Sequence, residues 1–355
     1  MGVFAEGKPR CVPGVDAFSS KRTNEKAQND FACSSQIQEG GQLSPCPDGE
    51  PYHALGATLE QPGLLRSTNS IEKMTSTQTD ASMETNAFLR QYTSQGEILK
   101  YTRATAGFGI SYLLDHDYKA VYLEALTFLP QQTRERGIRI LEFGCGGGMN
   151  LLHLISVLNS KGIDVARAVG TDFSPVMIET ARCEAKNYLW ERDLHRLEFY
   201  VAKNESLIAD LSASAGIERS SLLNSFHFVL GVNTVRYCHD AKKEMDNARD
   251  IFDLLVPGGV CVVIDMNNRF PLFRSDLRDR LRWKKQRQCY VPSLEEYAAP
   301  FVKTGFEVLR REHFCWVPHS ASGLMCRLFR GLSPLLNAAA KSRAMRSLVI
   351  SRKPR

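Results

Sequence analysis

The chain lacks several features that would fix its class at once. No run approaches the ~20 consecutive apolar residues of a membrane-spanning helix. The N-terminus lacks the charged-then-apolar order of a secretory signal. It opens Met-Gly, but Glu6 stands where a myristoylation signal has Ser or Thr. Ten cysteines occur, yet no two are spaced C-x-x-C. Zinc knuckles, iron–sulfur clusters and thioredoxin-type sites therefore find no support, and no metal is expected. Several cysteines lie inside apolar runs, where Cys acts as a small hydrophobe. Free thiols in a reducing cytosol follow, with a cytoplasmic location as the expectation. No internal repeat stands out.

What is present is ordinary for a globular protein: 355 residues, 43% hydrophobic and 24% charged, ample for a sizeable core. The net charge of +6 hides an asymmetry. Residues 269–355 carry 19 Lys and Arg against 6 Asp and Glu, whereas residues 1–268 carry 26 against 33. A basic end suits an anionic partner or a merely solvated surface.

Three segments differ in character. In residues 1–85, Gly, Pro, Ser, Thr, Asn and Gln make up 39 positions and apolar residues show no period. Such a stretch buries too little to offset its ordering entropy and reads as a disordered N-terminal extension. Its 11 acidic residues argue against a transit peptide. Residues 86–136 read as a helical cap that closes over a cofactor. Phe88, Leu89 and Tyr92 recur at helical spacing, and Tyr118, Val121, Tyr122, Ala125 and Leu126 form a buried face. From Gly137 onward, apolar strands alternate with amphipathic helices, which requires a mostly parallel sheet covered on both faces.

Strands are expected at 138–143, 165–171, 197–202, 226–232, 260–266, 306–314 and 348–352. Helices are expected at 149–158, 175–189, 241–255 and 293–303, the third closed by Pro257-Gly258-Gly259. Ser174 and Pro175 are well placed to start the second helix. Residues 315–345 form a helical insertion whose leucines, at 324, 328, 332, 335 and 336, make a stripe broken at Pro334. A cover over the sheet is the plain reading of that stripe; a peripheral membrane contact using the neighbouring arginines is the other.

The strongest local signal is Ile138-Arg-Ile-Leu-Glu-Phe-Gly-Cys-Gly-Gly-Gly-Met-Asn150. A strand runs into glycines and then a helix, so the backbone can turn sharply and approach a ligand at free N–H groups. The dinucleotide pattern G-x-G-x-x-G fails, because Met149 holds its sixth position counted from Gly144. The pattern that fits is E-x-G-x-G-x-G, with Glu142, Gly144, Gly146 and Gly148. Next comes Val169-Gly-Thr-Asp-Phe-Ser-Pro175, a strand ending in an acid before a capped helix. A carboxylate there can accept from both hydroxyls of a ribose.

With these motifs, residues 100–355 resemble the class I S-adenosyl-L-methionine-dependent methyltransferases. The resemblance implies an α/β, Rossmann-like seven-stranded sheet with the last strand antiparallel, spanning residues 137–355. It implies S-adenosyl-L-methionine as cofactor, with the glycine loop against its methionine part. Glu142 would order the loop or reach the amino group through water, and Asp172 would hold the ribose. Phe173 could pack on the adenine. The family's F-x-x-x-D-A motif is replaced by Phe199-Tyr-Val-Ala-Lys-Asn204. Lys203 carries only donors where an acceptor is needed, which moves the adenine role to Asn204. Tyr101 and Arg103 precede the loop where the family often pairs the cofactor carboxylate, a task suited to Arg. His227 stands where many members have Asp, on the far face of the fourth strand. Asn233, Thr234, Arg236 and Tyr237 follow that strand into the active-site mouth.

A sulfonium is already a good leaving group, so in-line displacement mainly requires alignment at about 3–3.5 Å. A base is needed only where the acceptor carries a proton. The candidate catalytic residues are His239 as base, with Asn233 and Tyr237; His313 and His319 are further histidines of that kind. The run from Arg269 to Arg287 has eight basic and two acidic residues, interleaved with Phe270, Phe273 and Trp283. It could steer a carboxylate- or phosphate-bearing acceptor. The expected function is methyl transfer to a small, anionic metabolite. The alternatives are an RNA or protein methyltransferase using the basic C-terminal part, or a non-catalytic cofactor-binding scaffold, to which Lys203 points. Nucleic acid is disfavoured, since no RNA-binding module is visible and no N-P-P-Y or D-P-P-Y signature follows the fourth strand.

Overall fold

The structure, a computed structural model, describes residues 108–271, 290–319 and 321–355. The N-terminal extension, Tyr101, Arg103 and most of the basic run beyond Arg269 lie outside the described residues.

Helix α1 (Phe108–Tyr112) passes through a six-residue π-helical turn (Leu113–Tyr118) into α2 (Lys119–Thr127), followed by α3 (Gln131–Glu135). Tyr118, Val121, Tyr122, Ala125 and Leu126 form the buried face that their spacing predicts. Strand β1 (Ile138–Phe143), α4 (Met149–Ser160), β2 (Val165–Asp172), α5 (Pro175–Tyr188), α6 (Glu191–Leu194) and β3 (Leu197–Val201) follow. Ser174 caps α5 by accepting from the Met177 N–H at 3.4 Å.

The segment 203–225 then folds into α7 (Leu207–Ala215) and α8 (Arg219–Leu222), where no element was expected. Strand β4 (Phe226–Val232) leads into α9 (Val235–Asp240), α10 (Glu244–Leu254) and β5 (Leu255–Met266). The remainder is α11 (Leu294–Thr304), β6 (Glu307–Phe314), α12 (Gly323–Ala340) and β7 (Arg346–Arg352).

The seven strands lie in the order β3-β2-β1-β4-β5-β7-β6. Neighbours from β3 to β5 pair parallel, and β7 runs antiparallel to both β5 and β6. This is the expected sheet. Alternate side chains feed opposite faces. Ile140, Phe228, Val262 and Ile350 pack under α2, α4 and α5. Leu141, Val229, Cys261 and Val349 pack under α7, α10 and α11. A smaller cluster of Leu113, Phe270, Cys315, Val317, Cys326 and Met345 closes over the ends of β5 and β6 and the start of β7.

Three local expectations need correction. The helix expected over 241–255 begins only at Glu244, as α10, because Lys242 turns left-handed at φ 57°, and a separate helix, α9, precedes it where none was expected. The Lys243 N–H then bonds the Cys238 carbonyl at 2.7 Å. Pro257-Gly258-Gly259 does not precede the strand but bulges within it: Leu255 pairs with Phe226 and Val260 with Phe228. The Gly258 N–H and Gly259 carbonyl each bond Lys353 at 2.9 Å, which keeps the bulge on the sheet. Pro334 does not break the insertion helix, since α12 runs through it. It stands on the exposed side, where a carbonyl that loses its donor can bond water instead.

Gly231 in β4 is required by space: a Cβ there would lie 2.2 Å from the Phe143 ring. Gly331 in α12 has nothing within 4 Å. Gly231→Ala should therefore cost about 1–3 kcal/mol in urea unfolding. Gly331→Ala should stabilise by about 0.5–1 kcal/mol. Equal effects of the two substitutions would contradict the packing described.

Candidate functional site

The glycine loop leaves β1 and enters α4 through three left-handed residues: Gly144 at φ 60°, Gly146 at 53° and Gly148 at 81°. Only glycine adopts three such conformations at little cost. Gly144 is also needed for closeness. A Cβ there would sit 2.0 Å from Thr234 Oγ1 and 3.2 Å from Asn204 Nδ2. Those two side chains are joined, with Asn204 Nδ2 donating to Thr234 Oγ1 at 2.6 Å. Asn247 Nδ2 donates to the Asn204 carbonyl at 2.8 Å and fixes that loop from α10. Asn204 thus lies on the glycine loop, whereas Lys203 is exposed.

Asp172 is 7% exposed at the end of β2. Its Oδ2 accepts from the Gly146 N–H at 3.0 Å, and its Oδ1 accepts from the Ser174 N–H at 2.9 Å. Burial pushes its carboxyl above the usual range, while these two amides oppose the shift. Each oxygen keeps a free lone pair for a further donor. Phe173 is half-buried beside it.

Glu142 is fully buried, and neither carboxylate oxygen has a hydrogen-bond partner. Burial drives its pKa well above the usual carboxyl range. Asn150 and the Leu151 amide lie close enough to oppose this but not in bonding geometry, and Asp172 adds to the rise. Around it, Tyr118, Tyr122, Asn150 and His153 also hold buried polar atoms without partners. Burial, and then Glu142, push the Tyr122 hydroxyl well up. Asp115, in the π-helical turn, reaches His153 Nε2 at 3.3 Å. Buried unpartnered polar atoms cost about 1–3 kcal/mol each. Five such side chains beside a glycine cradle fit a ligand with an ammonium and several polar groups.

A second group gathers beyond β4. Asn233 is left-handed at φ 56°, and its N–H bonds the Ile264 carbonyl at 2.7 Å. Its side-chain oxygen accepts from Arg346, the first residue of β7. Arg346 is fully buried and also contacts the His319 ring. It makes no ion pair with a carboxylate among the described residues. Arg236, by contrast, forks onto Asp265 through its backbone N–H at 3.1 Å and its guanidinium at 2.8 Å. It also donates to Tyr237 Oη at 2.6 Å. Tyr237 is thereby tied to Arg236, on the helix that follows Asn233.

The histidines do not converge. His239 stacks edge-on against Tyr297 of α11, and burial lowers its pKa. It lines a groove with Asp240, Glu244, Tyr290, Glu296 and Lys303, none of them in the glycine-loop group. His313 shares Ser347 and is also lowered, by burial first. Arg346, then burial and Arg236, push His319 down to about 2. His227 accepts from the Arg139 N–H at 3.0 Å near the start of β4, the end of the strand opposite the site. Its pKa falls to about 4 through burial and Arg139. Thr234 and Arg346 carry weight that sequence reasoning missed: Thr234 was placed only in the mouth, and Arg346 lies in a strand 113 positions after Asn233.

The family profile of the methyltransferase domain matches residues 114–311, more than half of the chain. No curated protein matches. Among solved structures, an S-adenosylmethionine dependent methyltransferase from Mesorhizobium loti is 17% identical, over 64% of this chain and 95% of that one, with a TM-score of 0.43. A SAM dependent methyltransferase from Archaeoglobus fulgidus is 14% identical, over 66% and 93%, with a TM-score of 0.41. Likenesses this distant add nothing beyond the sheet already described. The matched domain contains the glycine loop, Asp172, Asn204 and Asn233, and on that match the chain belongs to the methyltransferase-domain family as a class I S-adenosyl-L-methionine-dependent methyltransferase, with S-adenosyl-L-methionine as its cofactor.

Proposed function

We propose that the protein methylates a small anionic acceptor, and that Arg346 is the group that receives the acceptor's charge. The observation behind this is a fully buried guanidinium that bonds a neutral amide and touches an imidazole, with no carboxylate paired to it among the described residues. A buried charge without a counterion costs several kcal/mol, on the order of 3–5. Here it stands beside Asn233, at the end of the strand that in this family faces the transferable methyl. A carboxylate or phosphate on the acceptor would supply the missing charge. His319 rests on the guanidinium, so an acceptor arriving there displaces its ring. Arg236 does not compete for this role because Asp265 already neutralises it.

When bound, S-adenosyl-L-methionine supplies a methyl on a sulfonium leaving group. On the cofactor side we assign Asp172 to the ribose, Glu142 to the ammonium directly or through water, and Asn204 and Phe173 to the adenine. Gly144, Gly146 and Gly148 let the backbone approach. Asn233 and Tyr237 stand at the mouth. His239 is the weakest of the assignments: its lowered pKa leaves an imidazole that holds a proton poorly, packed on Tyr297 outside the central group. Transfer to a deprotonated carboxylate or phosphate oxygen needs no base, so the reading does not depend on His239. The basic run that first suggested an anionic acceptor lies mostly outside the described residues, and Arg346 supports the same acceptor class independently. No described feature favours the RNA or protein reading.

Asp172→Ala should weaken cofactor binding by about tenfold or more in calorimetry, through lost charge-assisted hydrogen bonds. Unchanged affinity in a folded variant would refute that placement.

Burial holds the Glu142 carboxyl well above its usual range in the free protein, and an ammonium beside it would draw it back down. Cofactor binding should therefore release a proton and tighten as pH rises through the raised Glu142 pKa. Calorimetry in buffers of different ionisation enthalpy measures this release. Glu142→Gln should abolish the buffer dependence, and identical behaviour of the two proteins would count against the assignment.

Incubating a metabolite extract with isotopically labelled methyl donor, followed by mass spectrometry, identifies the acceptor. A neutral or macromolecular product would overturn the proposal. With the acceptor in hand, Arg346→Gln should raise its KM by about 30-fold or more, leave the cofactor Kd within about twofold, and be partly rescued by Arg346→Lys.

A further inference from the structure

Helix α12 presents an apolar stripe to the outside. Leu324 is 78% exposed, Leu335 69% and Leu328 58%, and Met325 and Leu332 are exposed with them. At about 3.6 residues per turn these five fall within a wedge of about 100°. The helix's anchoring face is separate: Cys326 is buried, Phe329 packs in the cluster over the strand ends, and Trp316 Nε1 donates to Asn337 Oδ1 at 2.8 Å. The stripe is therefore not the face that holds α12 to the domain. Five large apolar side chains lined up in contact with water are far from the scattered exposed leucines of an ordinary surface.

The charge around the stripe has one sign. Residues 313–355 contain eight Lys and Arg and no Asp or Glu. Arg327 flanks the stripe on one side, and Arg343 lies just beyond the helix; neither has a carboxylate partner among the described residues. The nearest acids, Asp115 and Asp117, line a cleft with Arg330 and Ser333 on the other side of the helix, away from the stripe. An apolar face with Arg327 at its edge, on a helix that carries no acid, matches a surface that is apolar beneath and anionic at its boundary.

We infer that α12 docks the protein onto the surface of an anionic lipid bilayer, lying in the plane with Leu324, Met325, Leu328, Leu332 and Leu335 in the acyl boundary and Arg327 at the phosphates. No helix of the described residues is long and apolar enough to cross a membrane, so the contact is peripheral. The inference does not rest on the acceptor assignment: a protein could dock in this way whatever it methylates.

Sedimentation of the full chain with vesicles tests it. The protein should pellet with phosphatidylcholine vesicles containing phosphatidylglycerol at low salt, and far less with phosphatidylcholine alone or at high salt. Leu328→Glu with Leu335→Glu should cut the partition at least about tenfold. Arg327→Ala should cut it about fivefold, the effect of one basic residue near an anionic surface. All three positions are exposed, so an unchanged melting temperature is expected and confirms that the variants fold. No pelleting of the wild type would overturn the inference. So would pelleting unaffected by the leucine changes, or binding equal on neutral and anionic vesicles. A wild-type dimer in sedimentation velocity that the leucine variant dissociates, without vesicle binding, would overturn it too and make the stripe a contact between copies.

Discussion

The carboxylate of Asp172 holds two loops at once. One oxygen takes the Gly146 amide from the loop after β1, and the other takes the Ser174 amide at the start of α5. The parallel pairing of β1 with β2 brings the two loops side by side, with Phe143 opposite Thr171. A left-handed glycine loop has few ways to satisfy its own amides, and the acid of the neighbouring strand supplies one. The three positive φ angles, the close contact of Gly144 with Thr234 and the placement of Asn204 all depend on the loop staying in that form. The same carboxylate keeps lone pairs toward the open side, so the residue that shapes the cradle is also available to a ligand within it.

Two buried charge problems remain beside this frame, and they are of opposite kinds. Glu142 lessens its penalty through a carboxyl held well above its usual range, since burial and Asp172 both disfavour the anion. Arg346 has no such escape, because a guanidinium does not give up its proton in a protein. Its neighbours respond instead: His319 is held neutral down to about pH 2. An acid without a hydrogen-bond partner in one pocket and a cation without a counterion in the next, among the described residues, are unfavourable terms that bound partners of matching charge would relieve.

Much of the architecture was legible in the amino-acid order. Ile138–Phe143 and Phe226–Val232 are apolar runs bounded by glycine or polar residues, and their ends match the observed strands residue for residue. Motifs confined to a single βα unit, such as the glycine loop, Asp172 and the Ser174 cap, are local in sequence and so could be read there. The failures have physical causes. Leu207, Ile208 and Leu211 offer only one buried turn, too short a pattern to distinguish from a loop. The bulge at Pro257-Gly258-Gly259 is stabilised by Lys353, nearly a hundred residues on, and no local signal reports it. Arg346 looked like an ordinary basic residue near the edge of a strand. Its meaning comes from meeting Asn233, which only the strand order reveals.

That strand order also fixes a sequence of assembly. Among the described residues β6 pairs only with β7, and β7 is what joins it to β5. A nascent chain that has emerged through β6 can build a five-stranded sheet but has nowhere to seat its sixth strand. Strand β7, returning after α12, closes the gap like a wedge, and it brings Arg346 with it. A ribosome-bound intermediate could thus fold the glycine loop and Asp172 early while its acceptor side stays unfinished until translation has passed β7.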